Sequence, residues 1–113
     1  MSVVIYHNPR CSKSRQTLQL IEEKGVEPQI VQYLDTPPTV AELKDIISKL
    51  GITPRELLRK KEAKEYGLSD DSLDDDAVVA GMVANPRAIE RPIVVKGDQA
   101  VLGRPPENVL DLL

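Results

Sequence analysis

A short apolar run, Val3-Val4-Ile5-Tyr6, comes near the start of the chain and gives way at Asn8-Pro9. A β-branched run of this length, closed by a turn pair, predicts a buried strand. From Ser12 to Lys24 the spacing becomes helical, with Ser14, Leu18 and Ile21, and Leu20 between them, turned inward. Gly25 follows as a left-handed stop. Gln29 to Leu34 has strand composition again, and Pro37-Pro38 ends it. Strand, helix and strand in such quick succession make a βαβ unit with a parallel pair and a right-handed crossover.

The middle of the chain is helical in pattern. Thr39-Val40-Ala41-Glu42 is a capping box, followed by an apolar face of Val40, Leu43, Ile46, Ile47 and Leu50 and a stop at Gly51. Thr53-Pro54-Arg55-Glu56 repeats the start signal ahead of a helix carrying Leu57 and Leu58 and ending at Arg59. Asp74 caps a further helix, with Asp75 and Asp76 in its first turn and Val78, Val79, Met82 and Val83 as its buried stripe. Asn85-Pro86 closes it. The tail returns to strands: Pro92 to Lys96, a Gly97-Asp98 turn and Ala100 to Gly103 form a hairpin, and Pro105-Pro106 starts a last short helix with Val109, Leu110, Leu112 and Leu113. The order β-α-β, a helical segment, then β-β-α resembles the thioredoxin-like α/β arrangement with an enlarged helical middle.

Composition narrows the function classes. A chain of 113 residues is expected to be one domain, 1–113, since single cores usually span about 100–200 residues. Phe and Trp are absent and Tyr occurs three times, so the core is aliphatic. A formal charge of −3, with almost no aromatic platforms, argues against a nucleic-acid partner. No apolar run approaches the ~20 residues needed to span a bilayer, and no signal-peptide pattern is present. No membrane association and a cytoplasmic location are therefore expected. One Cys and one His are too few for a zinc site, and one Cys makes no internal disulfide. Neither a metal nor a bound cofactor is expected, and redox chemistry at Cys11 would need a second thiol from another molecule.

Cys11 lies between the first strand and the first helix, where free N–H groups and the positive helix end favour thiolate over thiol. Lys13 and Arg15 add positive charge. Ser14 makes Cys-Ser-Lys-Ser a C-x-x-S in place of C-x-x-C, which suits a one-thiol mechanism. His7, at the strand end, either helps to hold the thiolate as imidazolium or hydrogen-bonds the loop. Asn8 and Pro9 are turn-makers, Asn8 with a side chain suited to bonding its own loop. Arg59, Arg91 and Arg104 stand at element ends, and their guanidinium groups carry forked donors matched to tetrahedral oxyanions. A tyrosine-phosphatase loop of low-molecular-weight type requires C-x5-R, but the arginine position is occupied by Thr17. That reading fails.

Taken together, Ile5-Tyr6-His7-Asn8-Pro9-Arg10-Cys11-Ser12-Lys13-Ser14-Arg15, Leu57-Leu58-Arg59-Lys60, Glu90-Arg91-Pro92-Ile93-Val94-Val95 and Gly103-Arg104-Pro105 resemble, in order, the motifs of the glutathione/glutaredoxin-dependent arsenate reductases of the ArsC family. The resemblance implies a thioredoxin-like fold and Cys11 as nucleophile. Arg59, Arg91 and Arg104 would form the cradle for arsenate, and Pro92 would be a cis-proline beside the thiol. His7 would tune Cys11 or support its loop, and Ser14 would assist the thiolate. Glutathione would be the co-substrate and glutaredoxin the protein partner.

Two other readings share these residues. One is a glutathione-dependent thiol oxidoreductase of the same family with another substrate. The other is a polymerase-binding regulator of the Spx type. Spx-type proteins use a C-x-x-C switch, which Ser14 removes here.

Overall fold

The β-branched run near the start becomes strand β1 (Val3–Tyr6) in a computed structural model that describes residues 2–113. Contacts divide the chain into two units, one reaching Thr36 and resuming over Arg91–Leu113, the other Pro37–Glu90. In the first unit, β1 is followed by α1 (Ser12–Glu23) and β2 (Gln29–Val31), then by β3 (Ile93–Lys96), β4 (Gln99–Leu102) and a terminal 3-10 turn at Pro106–Asp111. The sheet order is β2-β1-β3-β4. β1 pairs parallel with β2 and antiparallel with β3, so Ile5 faces Ile30 on one side and Val94 on the other. The expected hairpin is present as the antiparallel β3–β4 pair, with Gly97 at φ +60° in its turn, a conformation costly for any residue with a Cβ.

Alternation along β1 sends Val3 and Ile5 into a core with Ile21, Val94, Val109 and Leu112, flanked by Leu18, Leu20, Val26, Val101 and Leu113. Each fully buried side chain of this kind contributes about 1.5–3 kcal/mol. In α1 the fully buried positions are Ser14, Thr17 and Ile21, so the inward stripe carries two hydroxyls, while Leu18 and Leu20 line its margin. β2 is shorter than its composition suggests. Instead of continuing to Leu34, the chain turns at Gln32, whose carbonyl accepts from the N–H groups of Asp35 (3.0 Å) and Thr36 (2.9 Å). Tyr33 is buried in that turn, while Gln29 and Ile30 stay exposed on the sheet edge.

The second unit contains α2 (Val40–Leu50), a 3-10 turn at Pro54–Leu57, α3 (Lys60–Glu65), α4 (Asp75–Ala84) and a 3-10 turn at Pro86–Ala88. The capping box forms as expected: the Glu42 N–H donates to Thr39 Oγ1 and the Thr39 N–H donates to Glu42 Oε1, each at 3.1 Å. Leu43, Ile46 and Ile47 of α2 and Val78, Val79 and Met82 of α4 are buried, whereas Val40, in the first turn, is exposed. Asp74 caps α4 through the Ala77 N–H (2.8 Å), and Asp76 pairs with Lys44 (2.8 Å), so the acidic stretch serves the helix entry. Arg55 ties down the preceding loop by donating to the carbonyls of Asp70 (2.9 Å) and Leu73 (2.6 Å).

A further expectation is corrected at Thr53. The helix after Thr53 is a single 3-10 turn that stops at Leu57. Leu58 is extended and bridges Ile89, and Arg59 is the cap residue preceding α3 rather than the end of a helix. α3 escaped the hydrophobic pattern because Lys60 to Glu65 contains one apolar residue, Ala63. Among the described residues, no helix is long and apolar enough to cross a membrane.

Because both halves of the capping box are made, Thr39→Ala is expected to cost about 1 kcal/mol. The measurement is a lowered urea midpoint with an unchanged m-value, and a wild-type midpoint would show the box to be energetically idle.

Candidate active site

The loop between β1 and α1 is held by its own backbone. The Cys11 N–H donates to the Asn8 carbonyl (3.0 Å), and the Arg10 N–H donates to Asn8 Oδ1 (3.0 Å). Arg15 reaches back from the first turn of α1 to the Pro9 carbonyl (2.9 Å). Asn8 thus braces the loop as its residue type suggested. Cys11 occupies the N-cap position of α1 and is partly exposed.

Burial pushes the Cys11 thiol pKa up. Opposing it are the backbone N–H of Ser14, the charge of Arg91, the backbone N–H of Lys13 and a hydrogen bond from the Arg91 side chain. The opposing contributions prevail, and the pKa lies below the ordinary thiol value. Free N–H groups at a helix start and a neighbouring guanidinium are the features that make a cysteine nucleophilic near neutral pH.

His7 and Ser14 form a buried pair, with Nδ1 and Oγ 2.6 Å apart. Ser14 Oγ also accepts the Asn8 N–H (3.1 Å). The Ser14 hydroxyl therefore braces the loop while its backbone N–H serves the sulfur. Burial first and Arg15 second lower the His7 pKa, so the neutral ring is favoured over the imidazolium. Of the two roles open to His7, loop bracing is the one its contacts serve.

Arg91 directly precedes β3, is 7% exposed, and lies beside Cys11. The peptide bond from Arg91 to Pro92 is cis, as the resemblance implied, and so is that from Arg104 to Pro105, which the sequence had not suggested. Arg104 follows β4, and its guanidinium lies 3.5 Å from the Arg91 carbonyl. The first unit therefore brings Cys11, Arg91 and Arg104 into one neighbourhood. Arg59 belongs to the second unit, where its guanidinium pairs with Glu62 (3.0 Å).

Two residues of the site's support went unrecognised in the sequence. Thr17 is fully buried and donates to the carbonyls of Lys13 (2.8 Å) and Gly103 (3.3 Å). The Ser14, Thr17, Ile21 spacing is the signal that places it on the inward face of α1. Gly103 donates its N–H to the Pro92 carbonyl (2.9 Å), and a Cβ there would lie 2.5 Å from Thr17 Oγ1 and 2.8 Å from Pro92 Cγ. Glycine is required because β4 ends pressed between α1 and the Pro92 ring. A cavity of about 300 Å³ opens beside the loop, lined by residues 7–10 together with Gln32, Leu34 and Asp35.

Residues 6–112 match the model of the ArsC family. An uncharacterised Escherichia coli K12 protein, YfgD, is 54% identical over 98% of this chain and 96% of its own. An arsenate reductase of Neisseria meningitidis serogroup A is 48% identical over 95% of this chain and 94% of its own. The solved structure of an arsenate reductase from Vibrio cholerae superposes with a TM-score of 0.96 at 53% identity, covering 100% of this chain and 98% of its own. The α/β fold is thioredoxin-like, as the order of elements indicated.

Three outcomes follow from the site. The rate of Cys11 alkylation by iodoacetamide should rise through a midpoint below that of an ordinary thiol, because the lowered pKa leaves thiolate present at lower pH. Arg91→Met removes a stabilising charge and a hydrogen bond, so the midpoint should move to higher pH; an unmoved midpoint would exclude Arg91 as the stabilising partner. Gly103→Ala should destabilise the fold by about 1–3 kcal/mol through overpacking, read from urea unfolding, and wild-type stability would show that Thr17 and Pro92 yield freely.

Proposed function

The chain belongs to the ArsC family, and we propose that it is an arsenate reductase working through a covalent adduct on Cys11. The observation that carries the proposal is the partly exposed, acidified thiol at the start of α1 with the buried Arg91 guanidinium against it. An anionic nucleophile repels an anionic substrate, and guanidinium groups offset that repulsion while their forked donors match the oxygens of a tetrahedral oxyanion. Arg59, Arg91 and Arg104 are proposed as those groups.

In the proposed reaction the Cys11 thiolate attacks arsenic and forms a sulfur–arsenic bond, while one arsenate oxygen leaves as water after protonation. The thiol of glutathione replaces a second oxygen on arsenic. A thiol of glutaredoxin then takes the glutathione sulfur as a mixed disulfide, and the two electrons released reduce arsenic from the pentavalent to the trivalent state. Water frees arsenite, and Cys11 regains its proton. Ser14 and His7 keep the loop in register for the first step. Phosphate fits the same cradle but has no accessible reduction, so it competes without turnover. C-x-x-S is consistent with this order of events, since the chain has no second thiol with which to release the adduct itself.

A glutathione-dependent thiol oxidoreductase with another substrate uses the same thiolate and the same co-substrate. Nothing in a contact between sulfur and a guanidinium is specific to arsenic. The two readings separate by product.

Arsenite formation with arsenate, glutathione and glutaredoxin is the expected result, together with an arsenic-containing mass adduct confined to Cys11. Cys11→Ser should abolish both. Arg91→Ala should lower kcat/KM for arsenate by about ten- to a hundredfold, as loss of a charge-assisted contact of about 1.5–3 kcal/mol implies. Arsenite production no higher than with Cys11→Ser would exclude arsenate reduction and favour the other substrate.

A further inference from the structure

Glu62 lies in the first turn of α3 and is 7% exposed. Its Oε1 lies 3.0 Å from the Arg59 guanidinium. Its Oε2 is buried and has no hydrogen-bond partner among the described residues. A carboxylate taken out of water with only one oxygen satisfied is a poor way to stabilise a fold, since desolvation offsets the Coulombic gain. The Arg59 side chain is itself 35% exposed, so solvent screens the pair and its net stabilisation of the fold is small. Stability alone does not account for Glu62.

The backbone around Arg59 is fixed as firmly as its side chain. Its N–H donates to the Ala88 carbonyl (2.7 Å), Leu58 bridges Ile89, and the Glu90 N–H donates to the Leu57 carbonyl (2.8 Å). Clamped at both ends, the guanidinium holds a set direction, and its donors not engaged by Glu62 keep a fixed aim. A free arginine would surrender its rotamer freedom on binding an anion; one already held by a carboxylate has surrendered it in advance.

We propose that Glu62 is a positioning residue for oxyanion binding, acting through Arg59. The proposal rests on the reading of Arg59 as an arsenate ligand. Its role is to hold the arginine ready rather than to touch substrate. The partial neutralisation of Arg59 by a neighbouring carboxylate weakens its pull on an anion, and pre-organisation outweighs that loss.

The test uses the full chain in the arsenate assay with Glu62→Met, Glu62→Gln, Arg59→Ala and the Arg59→Ala/Glu62→Met double variant. Methionine fills the volume but offers only a weakly accepting sulfur and no charge; glutamine keeps an oxygen acceptor for the guanidinium. Glu62→Met should raise the KM for arsenate about tenfold with kcat within about twofold, the signature of lost binding rather than lost chemistry. Its Tm should equal or exceed wild type, because a half-satisfied buried carboxylate is gone. Glu62→Gln should restore the KM to within about threefold of wild type. In the Arg59→Ala background Glu62→Met should add nothing, since both act through one guanidinium.

A wild-type or lower KM in Glu62→Met, beside a raised KM in Arg59→Ala, overturns the role of Glu62 and leaves that of Arg59 standing. A wild-type KM in Arg59→Ala overturns both. Additive effects in the double variant also overturn the proposal. Should Glu62→Met fail to fold, Glu62→Asp keeps the charge but withdraws the acceptor by one methylene. The same KM rise at smaller size is then expected, and a wild-type KM overturns the proposal.

Discussion

A sulfur drawn partly out of water prefers to keep its proton, and the first unit is built to overcome that preference at Cys11. The opposing influences come from separate parts of the sequence. Backbone N–H groups of Ser14 and Lys13 come with the start of α1, and the Arg91 guanidinium arrives on the segment leading into β3. The strand pairing that joins β1 to β3 brings the two segments together. Burial and the charge of Arg15 lower the His7 pKa, which works against an imidazolium beside the sulfur. What His7 adds is rigidity, through the 2.6 Å contact with Ser14. The lowered pKa of Cys11 is thus a property of the sheet register as well as of the cysteine's place at the helix start.

The parts of this arrangement that follow local rules were legible in the sequence. Strand β1, helix α1, the capping box at Thr39, the Asp74 cap and the β3–β4 hairpin each arise from neighbouring residues obeying propensity and turn chemistry. Cys11 between a strand and a helix was legible for the same reason. The failures are of a different kind. α3 has no apolar stripe to betray it, and the start signal at Thr53 yields one 3-10 turn because Leu58 is claimed by pairing with Ile89, far along the chain. β2 ends early because its continuation lies at the sheet edge, where turning at Gln32 buries Tyr33. At Leu58 a contact distant in sequence overrides a local preference, whereas α3 and the turn at Gln32 are local structures that carry no apolar pattern to mark them.

The support of the site was harder to read than the site itself. The lone cysteine is conspicuous by type and three arginines by placement, but Thr17, Gly103 and Glu62 are conspicuous only by what they touch. Thr17 attracted attention in the sequence merely as the residue where a phosphatase arginine is missing. In the fold it links α1 to the end of β4 through the Gly103 carbonyl. Gly103 in turn holds the Pro92 carbonyl next to Arg91. A chain of small, buried contacts therefore runs from the helix that carries Cys11 to the segment that carries its guanidinium.

A division of labour follows for the proposed chemistry. Arsenate reduction consumes two electrons, and a chain with one thiol can lend its sulfur but cannot supply the pair. The electrons must come from thiols outside, so the protein's contribution is confined to ionisation, charge and orientation. Those three tasks match the three kinds of structure found here: a helix start and a guanidinium for ionisation, arginines at strand ends for charge, and buried polar pairs for orientation. His7–Ser14 is a buried pair, and Glu62 is a buried carboxylate held to the partly exposed Arg59. In the proposed reaction the first pair would hold the loop that carries the thiolate and the second would hold a guanidinium toward the oxyanion, so both would serve orientation rather than stability.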